Sequence, residues 1–182
     1  DLKLFFESEK KRALLITGAR QVGKTFIIRE FGRKMYQSFV EINFLENRMA
    51  RELFENAKDS TDLLLRLSAV VDEPLIPGET LIFLDEVQEC KEIVTAIKFL
   101  VEEGSYRYIL SGSLLGVDLK DIRSVPVGYM DIIEMYPLDF EEFMLANRVS
   151  PQIIDKLRDA FENRTEVDEL IHEKVMDLFR LY

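Results

Sequence analysis

Gly18-Ala19-Arg20-Gln21-Val22-Gly23-Lys24-Thr25 follows closely on Ala13-Leu14-Leu15-Ile16, a short apolar run, and leads into a segment of helical period. The stretch fits G-x-x-x-x-G-K-[ST] at every fixed position. Each fixed residue type has a physical reason. The two glycines permit backbone turns that a side chain would block. The amide N–H groups from Ala19 to Thr25 then converge as a nest for an anion. A helix starting near Lys24 adds its positive dipole end. The Lys24 ammonium is placed to reach β- and γ-phosphates, and the Thr25 hydroxyl is a hard oxygen ligand suited to Mg²⁺. The plainer alternative is a glycine-rich turn with an exposed lysine.

Working outward, Leu81-Ile82-Phe83-Leu84 is a second apolar run. Runs of this kind, bounded by turn or charged residues, read as strands buried on both faces. Residues 39–44 alternate and predict a less buried strand; 106–110 and 130–135 complete five candidates. Helical period appears over 26–35, 48–57, 62–71 and 92–102. Strands alternating with helices predict βαβ units and a parallel sheet.

The second apolar run ends in Asp85-Glu86. Ligands of parallel sheets bind outside the carboxyl ends of the strands. Gly18 and Asp85 both stand at such ends, so loop and acidic pair are expected to face one crevice. There Asp85 would hold Mg²⁺ through water, and Glu86 would serve as general base toward an attacking water. A pair of helix-capping carboxylates is the alternative. The fourth strand runs into Ser111-Gly112-Ser113. Ser111 is the candidate for a hydroxyl contact to the γ-phosphate or the water, with Ser113 behind it, against a simple turn serine. Gln88, just past the acidic pair, is a candidate relay from the γ-phosphate.

The remaining sequence narrows the classes. The chain has 182 residues, 47% hydrophobic and 32% charged, a globular composition that excludes disordered and low-complexity classes. Its net charge is −10. Nine basic and four acidic side chains leave residues 1–38 at +5, so residues 39–182 carry −15. Such an acidic chain does not support general nucleic-acid binding, which needs Lys and Arg against phosphate. Lys10-Lys11-Arg12 reads either as a face toward an anion or as a solvated entry to the first strand. Cys90 is the only cysteine and His172 the only histidine. Together they exclude an internal disulfide, a cysteine metal cluster and a His pair. No apolar run approaches the roughly 18 residues that span a bilayer. The expectation is a cytoplasmic protein without a membrane anchor. The chain starts at Asp1 rather than Met and ends on Phe179-Arg180-Leu181-Tyr182, which suggests a segment of a longer protein.

After Pro137 the pattern turns helical. Asp139 with Glu142 forms a capping-box signature, with Leu138 and Phe143 as the staple. Ser150-Pro151 opens a second helix. Thr165 with Asp168 is expected to cap a third, whose stripe is Val167, Leu170, Ile171, Val175, Leu178 and Phe179. The division expected is a core over 1–138 and a helical appendage over 139–182.

The set GARQVGKT, FVEINFLEN, LIFLDEVQ, YILSGSLL and EMYPLDFEEFM resembles the bacterial and archaeal AAA-like ATPases. It is closest to the branch whose longer members carry an uncharacterised C-terminal domain. The likeness covers roughly residues 12–148. It implies an α/β P-loop NTPase three-layer sandwich on a parallel five-stranded sheet, with an extra strand between the phosphate-loop strand and the acidic-pair strand. By that likeness Gly18 through Thr25 bind the nucleotide, and Lys24 and Thr25 match Walker A. Asp85 and Glu86 match Walker B, Ser111 matches the sensor position, and Gln88 matches a glutamine that often follows Walker B. Where the family carries Gly-Arg before the fifth strand, residues 121–129 read DIRSVPVGY. Arg107, Arg123 or a neighbouring subunit are then the candidate sources of an arginine finger.

The expected function is ATP binding and Mg²⁺-dependent hydrolysis, with Lys24, Glu86 and Ser111 catalytic and Thr25 and Asp85 on the metal. A slow nucleotide-dependent switch is the alternative, and a small-molecule kinase a third. The kinase reading is weakened because residues 114–130 offer only Lys120 and Arg123 as lid cations. No Asn-Lys-x-Asp guanine-reading motif occurs, which favours adenine, with Tyr136-Pro137 as a candidate base contact. The partners expected are ATP and an unidentified protein or the chain's own C-terminal domain; a homo-oligomer is allowed.

Overall fold

The computed structural model describes residues 2–8, 12–55, 59–90, 92–113 and 128–182. Among them are five strands: β1 (Ala13–Gly18), β2 (Ser38–Asn43), β3 (Thr80–Asp85), β4 (Arg107–Gly112) and β5 (Met130–Met135). The same residues hold eight α-helices: α1 (Leu2–Glu7), α2 (Lys24–Met35), α3 (Arg48–Glu55), α4 (Ser60–Val70), α5 (Ile93–Glu103), α6 (Phe140–Ala146), α7 (Pro151–Asn163) and α8 (Glu169–Leu181). The chain divides into two units, Asp1–Tyr136 and Pro137–Tyr182.

In the first unit all five strands pair in parallel, in the order β2-β3-β4-β1-β5. This is the parallel five-stranded α/β sheet that the resemblance implies, and β4 is the strand between the loop-bearing β1 and the acidic-pair β3. Burial follows position. Every residue of β1 and β3 is buried, β2 alternates, and β5 at the edge buries only Met130. Strands covered on both faces need apolar side chains on both, which is why β1 and β3 read as unbroken runs.

The period of two sorts these side chains into two cores. Leu15, Ile82, Leu84 and Leu110 pack on one face beneath Phe54 of α3, Leu67 of α4 and Ile97 of α5. Leu14, Ile16, Leu81, Phe83 and Ile109 face the other way, against Ile28 of α2 and Phe5 of α1. Phe83 is fully buried, so truncating it to alanine should cost about 3–5 kcal/mol. Arg29 of α2 makes a two-pronged bond to Glu41 of β2, Nε to Oε2 at 2.7 Å and an η-nitrogen to Oε1 at 2.6 Å. That pair moors α2 on the sheet.

Several boundaries differ from the sequence expectation. The helix α1 has no sequence signature: it is six residues long, with neither an acidic first turn nor a basic last one. Tertiary contacts hold it instead, through Phe5 in the core and Arg107 beneath it. The strand β4 takes in Ser111 and Gly112 and leaves out Tyr106, so Ser111 lies within the sheet rather than in a turn.

In the second unit, Asp139 accepts from the Glu142 N–H while the Glu142 carboxylate accepts from the Asp139 N–H, a full capping box at α6. Ser150 caps α7, which has Pro151 in its first turn. The cap of α8 is Asp168 alone, accepting from the N–H groups of Leu170 and Ile171. This corrects the assignment of Thr165, which lies three residues before Asp168 and too early to bond these amides. Met144, Val149 and Ile154 form a small core against Val175 and Leu178. Phe140 meets Phe179 and Tyr182 edge-on. Val167 precedes α8, and Leu170 is 77% exposed, so the expected stripe packs only in part. No helix among the described residues is long and apolar enough to cross a membrane.

Candidate functional site

The site is assembled at the carboxyl ends of β1, β3 and β4. Gly18 is the last residue of β1, with φ +146°, and a Cβ there would lie 2.1 Å from the Met135 carbonyl oxygen. Glycine at this position is therefore required by the neighbouring edge strand as well as by the turn. Ala19, Arg20 and Gln21 are exposed, and Val22 and Gly23 are half-buried. Gln21 at φ 65° and Gly23 at φ 97° turn the chain back onto the sheet. Lys24 then begins α2.

The Lys24 side chain is buried. Its ammonium donates to the carbonyl oxygens of Gly18 at 2.9 Å and Ala19 at 2.6 Å. Burial pulls its pKa below the ordinary lysine value, and the nearby Glu86 and Asp85 carboxylates push it back up. The lysine thus lies folded on its own loop.

Thr25 and Asp85 meet directly. The Thr25 hydroxyl donates to Asp85 Oδ2 at 3.0 Å. The other oxygen of Asp85 accepts from the Ser111 hydroxyl and from the Glu86 N–H, the latter at 3.0 Å. Asp85 is 3% exposed and Ser111 1%. A carboxylate this deep would carry a large desolvation cost without such donors. The Ser111 hydroxyl is therefore directed at Asp85. Ser113, the second serine candidate, is also buried, and its N–H faces Gln88 Oε1 at 3.4 Å.

Glu86 departs from the strand into the left-handed region, at φ 56° and ψ 45°, and leads into the 3-10 turn Val87–Glu89. A non-glycine residue held there is strained, and strain of this kind concentrates at working sites. Its carboxylate accepts from the Gln88 side-chain amide.

Lys24, Thr25, Asp85, Glu86, Gln88 and Ser111 are thus linked directly or through shared backbone at one end of the sheet. Arg107 is not among them. It starts β4, at the amino end of the strand, with its guanidinium 4.3 Å from the Phe5 ring centroid and bonded to the carbonyls of Phe5 and Ser8. Its candidacy as a finger within this site is corrected: it fastens α1. Arg123 lies outside the described residues. Tyr136 is exposed, with its hydroxyl donating to Glu134.

One residue at this rim was not singled out in the sequence. Asn43 ends β2 in register with Asp85, and its side chain accepts from the N–H groups of Leu45 and Glu46. An asparagine closing an alternating strand is an Asx-turn signal that would have found it.

Sheet order and loop together define the class, a P-loop NTPase. A profile of the AAA domain family matches residues 10–144, and the chain belongs to that family of AAA-like P-loop ATPases. Among solved structures, PCH-2 from C. elegans is similar with a TM-score of 0.49 and 12% identity, over 92% of this chain and 46% of that one. The chain thus spans less than half the length of that structure. A comparison with curated proteins gave no match.

Proposed function

We propose that this site binds ATP with Mg²⁺ and hydrolyses it between the β- and γ-phosphates. The observation that carries the reading is the meeting of the Thr25 hydroxyl with the Asp85 carboxylate at 3.0 Å, beside a lysine that bonds only loop carbonyls among the described partners. Thr25 and Asp85 are hard oxygen donors, the kind Mg²⁺ prefers. No group of three or more His, Cys, Asp or Glu side chains placed to hold an ion occurs among the described residues; an ion on Thr25 and Asp85 would draw the rest of its shell from phosphate and water. The bound ion would neutralise charge developing on the phosphate oxygens.

In this reading the backbone from Gly18 to Thr25 cradles the phosphates, and Lys24 exchanges its two carbonyls for phosphate oxygens. Ser111 fixes the orientation of Asp85. Glu86 takes a proton from water as the water oxygen bonds the γ-phosphorus and the bond to the β–γ bridging oxygen breaks, giving ADP and phosphate. We assign the ATPase core to 1–138 and the helical appendage to 139–182, in a cytoplasmic protein. Its partner would be another protein, a further domain of its own chain, or a second copy.

Calorimetry with Mg-ATP tests binding, and phosphate release tests turnover. Wild type should do both. Lys24→Ala should lose measurable binding. Glu86→Gln should bind as wild type and lose about 100-fold or more in turnover, the usual contribution of a positioned base. A folded wild type with no affinity for Mg-ATP refutes the reading; full turnover in Glu86→Gln removes Glu86 as the base.

A further inference from the structure

We propose that Gln88 is a positioning residue for Glu86, its side-chain amide tying that carboxylate to the end of β4. The inference rests on the reading of Glu86 as the base and deepens it. The left-handed turn at Glu86 followed by the 3-10 turn Val87–Glu89 brings side chain 88 back over side chain 86. Gln88 Nε2 donates to Glu86 Oε2, while Gln88 Oε1 faces the Ser113 N–H at 3.4 Å. The chemistry sets the amide's orientation: a carboxylate only accepts and a backbone N–H only donates.

The amide depends on the space that Gly112 leaves. A Cβ on Gly112 would stand 3.0 Å from Gln88 Oε1 and 3.3 Å from Val87 Cγ2. The amide therefore lies beside the Gly112-Ser113 backbone, in space that a side chain at 112 would crowd. Fixing Oε2 of Glu86 leaves Oε1 to meet water. A base acts only within hydrogen-bond reach of the proton it takes, and a misplacement of about 1 Å can cost a hundredfold in rate. Glutamine fits this position because it offers a donor and an acceptor on one short planar group. Glutamate would keep the acceptor for Ser113 and set a like charge against Glu86. Methionine would keep the shape and neither bond.

The test uses the full chain, with kcat and KM from ATP titration and Kd for Mg-ATP from calorimetry. Gln88→Met and Gln88→Glu should each lower kcat about tenfold or more, with KM and Kd within about twofold of wild type. Gly112→Ala, which crowds the amide without touching its chemistry, should do the same. It also keeps the proposal testable if a Gln88 variant fails to fold. Gln88→Glu separates roles: were the tie to Ser113 all that mattered, this variant would turn over as wild type, and the proposal would fall. Unchanged kcat in Gln88→Met, or a kcat loss matched by weaker binding, also overturns it. A wild type that binds Mg-ATP without turnover removes Glu86 as base and this role with it. A wild type that turns over, matched by Gln88→Met, removes only the positioning role.

Discussion

Gly18 shows what one missing side chain does. A Cβ would be driven to 2.1 Å from the Met135 carbonyl at φ +146°, so both sterics and backbone preference oppose substitution. Gly18→Ala should destabilise the fold by more than about 2 kcal/mol, read as a lower urea midpoint. Tyr108 runs the other way. It is 1% exposed, and its hydroxyl has no hydrogen-bond partner among the described residues. Burial pushes its pKa far up. A buried hydroxyl left unpaired costs about 1–3 kcal/mol, so Tyr108→Phe should leave stability equal or raise it by about 1 kcal/mol, and a marked loss would show an unseen partner. The phosphate loop was legible because local chemistry dictates each of its fixed positions. The wall facing Gly18 and the partner of Ser111 were not, because both are set by strands distant in sequence.

Elements were legible in proportion to their local signals. The buried strands β1 and β3 announce themselves as apolar runs, and β5 matches its predicted span. The capping box at α6 is written in Asp139 and Glu142. Reading α8 from Thr165 failed because two capping-type residues stand three apart, and only backbone direction decides between them. Asp168→Ala should cost about 1 kcal/mol and lower the helix signal on heating, while Thr165→Ala should change neither. Equal effects would mean the cap is shared. The helix α1 left no trace in the pattern because what holds it is tertiary, Phe5 packed in the core and stacked against Arg107, rather than caps or periodicity within the helix.

At the scale of the molecule, apolar runs reveal that strands are buried but not which strands are neighbours. Of the order β2-β3-β4-β1-β5, only the strand between β1 and β3 was legible, through likeness to a family rather than periodicity. That order sets three strand ends side by side, so nucleotide binding should be felt by the whole sheet. Mg-ATP at 100 times its Kd should stabilise the protein by about 2.7 kcal/mol, seen as a raised unfolding temperature. EDTA should remove most of the gain. An unchanged unfolding temperature at saturation would contradict binding to the folded state. Arg29 and Glu41 add a constraint of another kind. Their paired bonds at 2.6 and 2.7 Å tie the trunk of α2 to β2 little more than one turn past Lys24, so a ligand taken up at the loop would meet a helix already moored to the sheet. Amide exchange along the trunk should stay slow whether nucleotide is present or not.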